Sequence, residues 1–205
     1  MKILIISGSK NKDGKTAGAI SSIIRGISNA KSQSETIFLT GLKLEKCRQC
    51  NADGWGICRT EHRCIIEDDF AGIVEKVKAA DAVVFATPVY FMDLSESMRG
   101  FLDRLRRIRF APGAPPAGPG LPPAAPGNRT PAVGLCYAGG SGNGTVSCAF
   151  NLERILQTCG FDIVDMIPVR RQNLDMKMPY LERVGEWLTT KPVSGPMPAP
   201  PPPAR

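Results

Sequence analysis

The sequence predicts an α/β fold in which helices cover both faces of a doubly wound sheet of five parallel strands. Short apolar runs alternate with longer stretches whose apolar residues recur every three or four positions. The apolar runs contain few charges, as in strands that are buried on both faces. Loops rich in Gly, Pro, Ser or Thr follow three of these runs, as expected where parallel strands end beside a ligand.

Each predicted strand is a short run dominated by Val, Ile, Leu and Phe. The third run, Ala-Val-Val-Phe-Ala at 82–86, contains no polar residue, so we expect it at the centre of the sheet. The five predicted strands are residues 2–6, 35–39, 82–86, 133–137 and 161–169.

Each predicted helix repeats its apolar residues on one face, most clearly in the stretch that contains Leu94, Met98 and Phe101. Asp68 and Asp69 mark the start of the second helix, since acidic residues favour the first turn. The first predicted helix begins near residue 16 and the second at 68–69. The third covers 94–108, the fourth carries the apolar positions from 150 to 159, and the fifth covers 180–188.

The loop from Ser7 to Thr16 combines a strand end, small residues and a helix N-terminus, which is where backbone N–H groups and the helix dipole favour an anion. Hydroxyls add donors, and Lys10 and Lys15 add positive charge. The loop nearly matches the nucleotide-binding pattern G-x-x-x-x-G-K-[ST], but five residues rather than four separate Gly8 from Gly14. A phosphate site for FMN and an ordinary strand-to-helix turn therefore remain as interpretations.

Two further loops, 87–92 and 138–144, follow predicted strands and are rich in Gly, Pro, Ser or Thr. The carboxyl ends of parallel strands lie at one edge of a sheet, so we expect both loops to meet the loop at 7–16. Three loops at one edge predict a shared ligand more strongly than any one of them.

Composition limits the function classes. The chain has 205 residues, enough for one domain with a sizeable core, which we place at 1–190. Its net charge of +7 is spread along the sequence and aromatic residues make up only 6%, so no nucleic-acid surface is predicted. No apolar run has membrane-spanning length and the first residues resemble a strand, so we expect a cytoplasmic protein.

Two segments fall outside the strand–helix alternation. Residues 111–131 are crowded with Pro, Gly and Ala and predict an irregular surface loop. Residues 191–205 end in a proline run and predict a disordered tail.

Three motifs carry a family resemblance: Ser-Gly-Ser at 7–9, Ala-Thr-Pro-Val-Tyr-Phe at 86–91 and Leu-Asp-Arg at 102–104. Together they resemble the NADPH-dependent FMN reductase and iron–sulfur flavoprotein branch of the flavodoxin-like proteins, over most of the chain to about Leu188. The resemblance implies a strand order of 2-1-3-4-5 and a homodimer or homotetramer. It also implies three groups of FMN-binding residues: Ser7, Ser9, Lys10, Lys15 and Thr16; Thr87, Pro88, Val89, Tyr90, Phe91 and Met92; and Ala138, Gly139 and Gly140.

A cysteine-rich insertion at 47–64 has the spacing C-x2-C-x7-C-x5-C, formed by Cys47, Cys50, Cys58 and Cys64. Iron–sulfur flavoproteins of this branch carry a compact C-x2-C-x2-C and a fourth Cys before a similar Asp-Asp pair. Here Asp53 stands where their third cysteine would be, and Cys58 is the substitute within the chain. A 4Fe–4S cluster, a zinc ion and free thiols are all consistent with this spacing.

Other polar and cysteine residues have plainer interpretations. His62 is expected on the surface, and Cys136, Cys148 and Cys159 are expected in the core. Trp55 is interpreted as packing on the flavin edge, on a neighbouring subunit or, more plainly, within its own loop. Four arginines, Arg104, Arg106, Arg107 and Arg109, are interpreted mostly as a solvated helix face, with a structural or subunit-contact pair between Asp103 and Arg104.

The predicted function is a flavin enzyme that passes electrons from NADH or NADPH through FMN to a flavin, a quinone or a similar small acceptor. The alternative is an iron–sulfur flavoprotein that carries electrons between partner proteins. A more distant alternative is a nucleotide-binding protein that takes ATP with magnesium.

Overall fold

A computed structural model describes residues 1–108 and 129–192. Within these residues one sheet contains six strands: β1 Lys2–Ser7, β2 Gln33–Phe38, β3 Ala82–Tyr90, β4 Asp93–Leu94, β5 Pro131–Ala138 and β6 Asp162–Arg170. Five of them pair in parallel in the order β2-β1-β3-β5-β6. The predicted order of five parallel strands is confirmed, and the sixth strand, β4, pairs antiparallel with β3.

The helices of the described residues are α1 Lys15–Asn29, α2 Phe70–Lys78, α3 Glu96–Leu105, α4 Thr145–Cys159 and α5 Leu174–Leu188. They bury two cores, one on each face of the sheet. Alternation along β3 shows this directly, because Val83 and Phe85 face one core while Val84 faces the other. The predicted doubly wound architecture is confirmed.

The helices α1 and α5 approach each other at two glycines. A Cβ atom on Gly26 would lie 1.8 Å from the Glu182 carbonyl oxygen, and one on Gly185 would lie 2.1 Å from the Ile23 carbonyl oxygen. Such distances leave no room for a side chain, so these two positions fix how α5 closes one face of the sheet.

The loop predicted at 87–92 is wrong over its first four residues, because β3 continues through Thr87, Pro88 and Val89 to Tyr90. The two residues of β4 pair with Val89 and Tyr90, so the strand keeps a partner beyond Pro88. Only the turn between β3 and β4 is irregular.

Two helix boundaries also differ from the prediction. The helix predicted at 94–108 covers Glu96–Leu105, because Leu94 pairs with β3 and Ser95 is the N-cap. The last helix starts at Leu174 rather than at 180 and carries Pro179 inside it. Proline removes one backbone donor and so suggests a helix boundary, but packing against α1 keeps this helix continuous.

Some predictions fall on residues that are not described. For the irregular loop predicted at 111–131, residues 111–128 are not described. The last residue of the predicted loop, Pro131, is the first residue of β5. The predicted tail lies outside them from 193 onward. In the described part of the chain, no helix is both long and apolar enough to span a membrane.

Candidate functional site

The first two predicted loops are joined at the carboxyl edge of β1 and β3. The backbone N–H of Gly8 donates to the carbonyl of Ala86, at 2.8 Å. The Ser95 hydroxyl donates to the Gly8 carbonyl at 3.0 Å, and the Ser95 N–H donates to the Thr87 hydroxyl at 3.0 Å. Ser97 donates to the same carbonyl at 2.9 Å. The start of α3 therefore holds the end of β3 against the loop after β1.

Gly8 allows this close approach. A Cβ atom there would lie 2.4 Å from the Ser95 Oγ and 2.9 Å from the Met98 Cβ. Both neighbours are buried, so neither has room to move aside. The first loop can lie against α3 only because residue 8 has no side chain.

The first loop presents donors for an anion. Ser7, Ser9 and Thr16 are buried, while Lys10 and Lys15 are exposed beside them. No side chain caps the N-terminus of α1, and its first turn carries no acidic residue. Its free N–H groups and positive dipole end therefore face this loop. This donor set fits the phosphate of FMN.

The turn between β3 and β4 presents apolar side chains to solvent. Phe91 is fully exposed, and Tyr90 and Met92 are more than half exposed. Phe91 and Met92 have φ angles of 48° and 66°, in the left-handed region. The predicted site residues from Thr87 to Met92 thus divide into a buried end, which holds Ser95, and an exposed tip.

The third loop meets the tip of this hairpin. A Cβ atom on Gly144 would lie 2.6 Å from the Met92 Cα, and the Asn151 side chain donates to Asp93 at 3.2 Å. Of the predicted site residues in this loop, Ala138 is buried at the end of β5, and Gly139 and Gly140 are exposed. The structure therefore brings the three predicted loops together at one edge of the sheet.

The cysteine-rich insertion forms a second feature, a pocket beside the end of α3. Cys47, Cys50, Cys58 and Cys64 all line it, together with isoleucines and arginines but no carboxylate. However, no three Cys, His, Asp or Glu side chains among residues 1–108 and 129–192 are gathered to hold a metal ion. The four thiols share one pocket, but their present arrangement does not fit a metal centre.

Asp53, which stands at the position of the missing cysteine, is engaged elsewhere. Its carboxylate accepts from the Trp55 N–H at 3.0 Å and pairs with Arg59 at 3.5 Å. Trp55 in turn lies under the Arg107 guanidinium, 4.7 Å from it, and His62 is exposed, so both residues match their plainer interpretations.

The interpretation of Arg104 as part of a solvated face is wrong. Its side chain is 2% exposed and forms a two-point ion pair with Asp68, at 2.6 and 3.0 Å. Burial opposes the charge on Arg104, but hydrogen bonding to Asp68 and the nearby Cys64 raise the pKa of Arg104 above its ordinary value. Asp103 pairs with Arg106 rather than with Arg104.

Two features of the site were missed at the sequence level. Ser95 lies just before an amphipathic helix and is the N-cap that accepts from Met98, a pattern that could have been found. Arg104 lies beside Phe101 and Leu102 on the apolar face of α3. This position was the available signal that its side chain is buried.

Comparison with known proteins places the chain among flavoproteins. Residues 1–174 match the family described as NADPH-dependent FMN reductase. An iron–sulfur flavoprotein of Methanocaldococcus jannaschii is 33% identical over 109 residues, which cover 53% of this chain and 54% of that protein. The chain spans about half the length of the curated relatives it matches.

Solved structures are similar in fold. An NAD(P)H:quinone oxidoreductase from Methanothermobacter marburgensis matches with a TM-score of 0.62 at 18% identity, over 92% of this chain and 97% of that one. A flavodoxin from the domain Archaea matches with a TM-score of 0.57 at 15% identity, over 93% of this chain and 98% of that one. The fold is therefore flavodoxin-like.

Proposed function

Because the chain belongs to the NADPH-dependent FMN reductase family, we propose that it is an FMN-dependent oxidoreductase that takes electrons from NADH or NADPH. The acceptor is a small molecule such as a flavin or a quinone. One observation carries the proposal: three loops that the sequence marks as ligand loops meet at the carboxyl edge of β1, β3 and β5. In open α/β sheets this edge is where ligands bind.

FMN, when bound, supplies hydride and electron transfer between the nicotinamide and the acceptor. The protein's part is to bind and orient it. Buried hydroxyls of Ser7, Ser9 and Thr16 and the N-terminus of α1 are the donors proposed for its phosphate. The segment from Thr87 to Met92 and the loop after Ala138 would border the ring. In the overall reaction NAD(P)H and a proton reduce the acceptor and leave NAD(P)⁺.

The first test is FMN binding. The purified protein is titrated with FMN, and we expect one bound flavin per chain and oxidation of NAD(P)H when menadione is added as acceptor. The absence of FMN binding would refute the proposal. FMN binding without oxidation of NADH or NADPH would leave a flavoprotein with another electron donor.

The phosphate site has its own test. Replacing Thr16 by Val removes one buried hydroxyl at nearly constant volume, and we expect the Kd for FMN to rise at least about tenfold, as for loss of a hydrogen bond to a charged group. The matched control is Thr158→Val, because the Thr158 hydroxyl donates to its own helix at Arg154. An equal FMN affinity in both variants would place the phosphate elsewhere.

A second candidate function is an iron–sulfur flavoprotein that carries electrons between partner proteins. What favours it is that all four cysteines of the insertion line one pocket, with Arg48, Arg104 and Arg107 around them and no carboxylate. Four cysteine thiolates are the usual ligands of an iron–sulfur cluster, although Arg48 and Arg104 already pair with Glu45 and Asp68. The arrangement described above does not itself form a metal centre, so no step is assigned to it.

Iron and zinc assays on protein purified without oxygen separate the two candidates. Stoichiometric iron with a flavin spectrum and no NAD(P)H oxidation supports the carrier. Flavin without iron, together with NAD(P)H oxidation, supports the reductase.

A further inference from the structure

The last helix, α5, carries three exposed apolar side chains in one line. Met176, Tyr180 and Trp187 follow one another at intervals of four and seven positions, so they lie on the same side of the helix. They are 72%, 47% and 40% exposed. Because an α-helix rises about 1.5 Å per residue, the line is about 17 Å long. We call these three side chains the α5 strip.

The α5 strip lies on the side of the helix that faces away from α1 and toward β6. Contacts with α1 use another side of α5, where Glu182 accepts from Arg25 at 3.2 Å. Tyr180 instead donates its hydroxyl proton to the Asp165 carboxylate in β6. Among residues 1–108 and 129–192, β6 pairs only with β5. The α5 strip therefore borders an open edge of the sheet.

Trp187 also has an unused hydrogen-bond donor. Its backbone carbonyl accepts from the Thr190 hydroxyl at 2.8 Å, but its indole N–H donates to no group among the residues that the structure describes. An apolar line with a free donor suits an occupant that has apolar rings and free carbonyl groups. A proline-rich segment in the polyproline II conformation has both, since it forms no internal hydrogen bonds and its prolines carry no N–H.

The chain supplies such a segment directly after α5. Lys191, whose φ of 54° is left-handed, ends the helical path, and it pairs with Asp81 at 3.0 Å. Pro192 is buried, so residue 193 leaves from a fixed point close to Trp187. Six of the thirteen residues from 193 to 205 are proline, four of them consecutive at 200–203.

We propose that residues 193–205 turn back and dock on the α5 strip, with the prolines at 200–203 against the rings of Tyr180 and Trp187. Polyproline II segments bind aromatic surfaces because their conformation is preformed and little entropy is lost. The segment is long enough. At about 3.1 Å per residue, thirteen residues extend about 40 Å, more than twice the length of the α5 strip.

The size of the α5 strip favours this segment over a second protein chain. The strip has three side chains, whereas a stable protein interface uses about 20–30 residues on each side. A segment that is already attached beside its site has an effective concentration on the order of millimolar. A small contact area is therefore enough to hold it.

Two full-length variants test the docking, with Trp187 as the reporter. The chain contains two tryptophans, so Trp55→Phe leaves only the Trp187 signal. In this background the test variant has serine in place of the four prolines at 200–203. The matched control has serine in place of four prolines in the other proline-rich segment, at 115, 116, 122 and 123.

The measurement is the fluorescence of Trp187 at equal FMN content. In the test variant we expect the emission maximum to move to longer wavelength and acrylamide to quench more strongly, because the indole loses its cover. The control variant should match the parent. A synthetic peptide of residues 193–205, added to the test variant at millimolar concentration, should reverse both changes. The same peptide with serine at 200–203 should not.

Four results would overturn the inference. Unchanged Trp187 fluorescence in the test variant would show that these prolines do not cover the strip. Equal changes in the test and control variants would show that the effect is not specific to residues 193–205. No recovery with the peptide would show that the serines act by another route. A larger particle by gel filtration, with emission that depends on protein concentration, would assign the strip to a second copy of the chain.

Discussion

Arg104 and Asp68 form a buried, two-point ion pair that ties the cysteine-rich insertion to α3. Their side chains are 2% and 0% exposed. Asp68 also accepts from the backbone N–H groups of Glu45, at 2.8 Å, and Phe70, at 3.2 Å. The guanidinium lies 4.0 Å from the Phe70 ring, and it donates to the carbonyl of Glu45. One carboxylate therefore joins the chain just before the insertion to the chain just after it, and Arg104 fixes that carboxylate to α3.

The first prediction concerns removal of the carboxylate. Asp68→Asn leaves the Arg104 guanidinium buried without a countercharge, and we expect the free energy of unfolding to fall by about 3–5 kcal/mol. Urea unfolding measures it. The matched control is Asp103→Asn, whose pair with Arg106 is exposed and contributes about 0–1 kcal/mol. Equal losses in the two variants would contradict the assigned role of the buried pair.

The second prediction is the pH dependence of the same pair. Burial acts to raise the pKa of Asp68, but hydrogen bonds from Arg104 and the two backbone groups outweigh it and lower the pKa below the ordinary value of 3.8. A carboxyl whose pKa is lower in the folded state stabilises the fold above its unfolded pKa and loses this effect as the pH falls through the folded pKa.

We therefore expect the difference in unfolding free energy between wild type and Asp68→Asn to be constant from pH 7 to about 5 and to shrink below about 4. Urea unfolding at a series of pH values measures this difference. Asp81 also has a lowered pKa, because the Lys2 N–H and Lys191 stabilise its carboxylate. Since Asp81 is present in both proteins, its contribution cancels in the difference between their unfolding free energies. A difference that grows on acidification would refute the assignment.

The centre of the sheet was predictable because β1, β3 and β5 are buried on both faces and so contain mostly apolar residues. The continuation of β3 past Thr87 was not, because Pro88 suggests an end and the partner, β4, has only two residues. The buried state of Arg104 was also hidden, since its partner Asp68 lies 36 positions away and spacing alone does not pair them. The convergence of the three loops follows from topology, but the hydrogen bonds by which Ser95 joins the first two depend on side-chain positions that the sequence does not reveal.

The third prediction tests the close approach at Gly8. Gly8→Ala places a methyl group 2.4 Å from the Ser95 Oγ, so we expect the protein to be destabilised by about 1–3 kcal/mol, as for overpacking, and its affinity for FMN to fall. Thermal unfolding and FMN titration measure the two effects.

Gly18→Ala in α1 is the control, since nothing lies within 4 Å of the added Cβ atom. There we expect a gain of about 0.5–1 kcal/mol, because alanine favours a helix interior. A Gly8→Ala protein as stable as the wild type, with the same FMN affinity, would show that the loop moves away from α3 without consequence.

The last prediction separates the pocket cysteines from the core cysteines by their reactivity. Cys50 is exposed and Cys47, Cys58 and Cys64 are partly exposed, whereas Cys136, Cys148 and Cys159 are buried. Burial raises the pKa of Cys159, and hydrogen bonding to Cys148, followed by burial, raises that of Cys136. Alkylation requires an accessible thiolate. In chelator-treated protein we therefore expect iodoacetamide to modify the four pocket cysteines first and the core cysteines only on unfolding, as read by peptide mass spectrometry.

The same labelling applied to protein purified without oxygen tests the second candidate function. If a cluster or zinc ion holds the pocket cysteines, all four are protected together and become reactive together when a chelator removes the metal. The core cysteines are the internal control, because their protection depends on the fold and not on the metal. Reactivity of the four cysteines before chelation, with no metal released, would leave them as free thiols and would remove the electron carrier from consideration. Early labelling of Cys136 or Cys159 would instead contradict their place in the core.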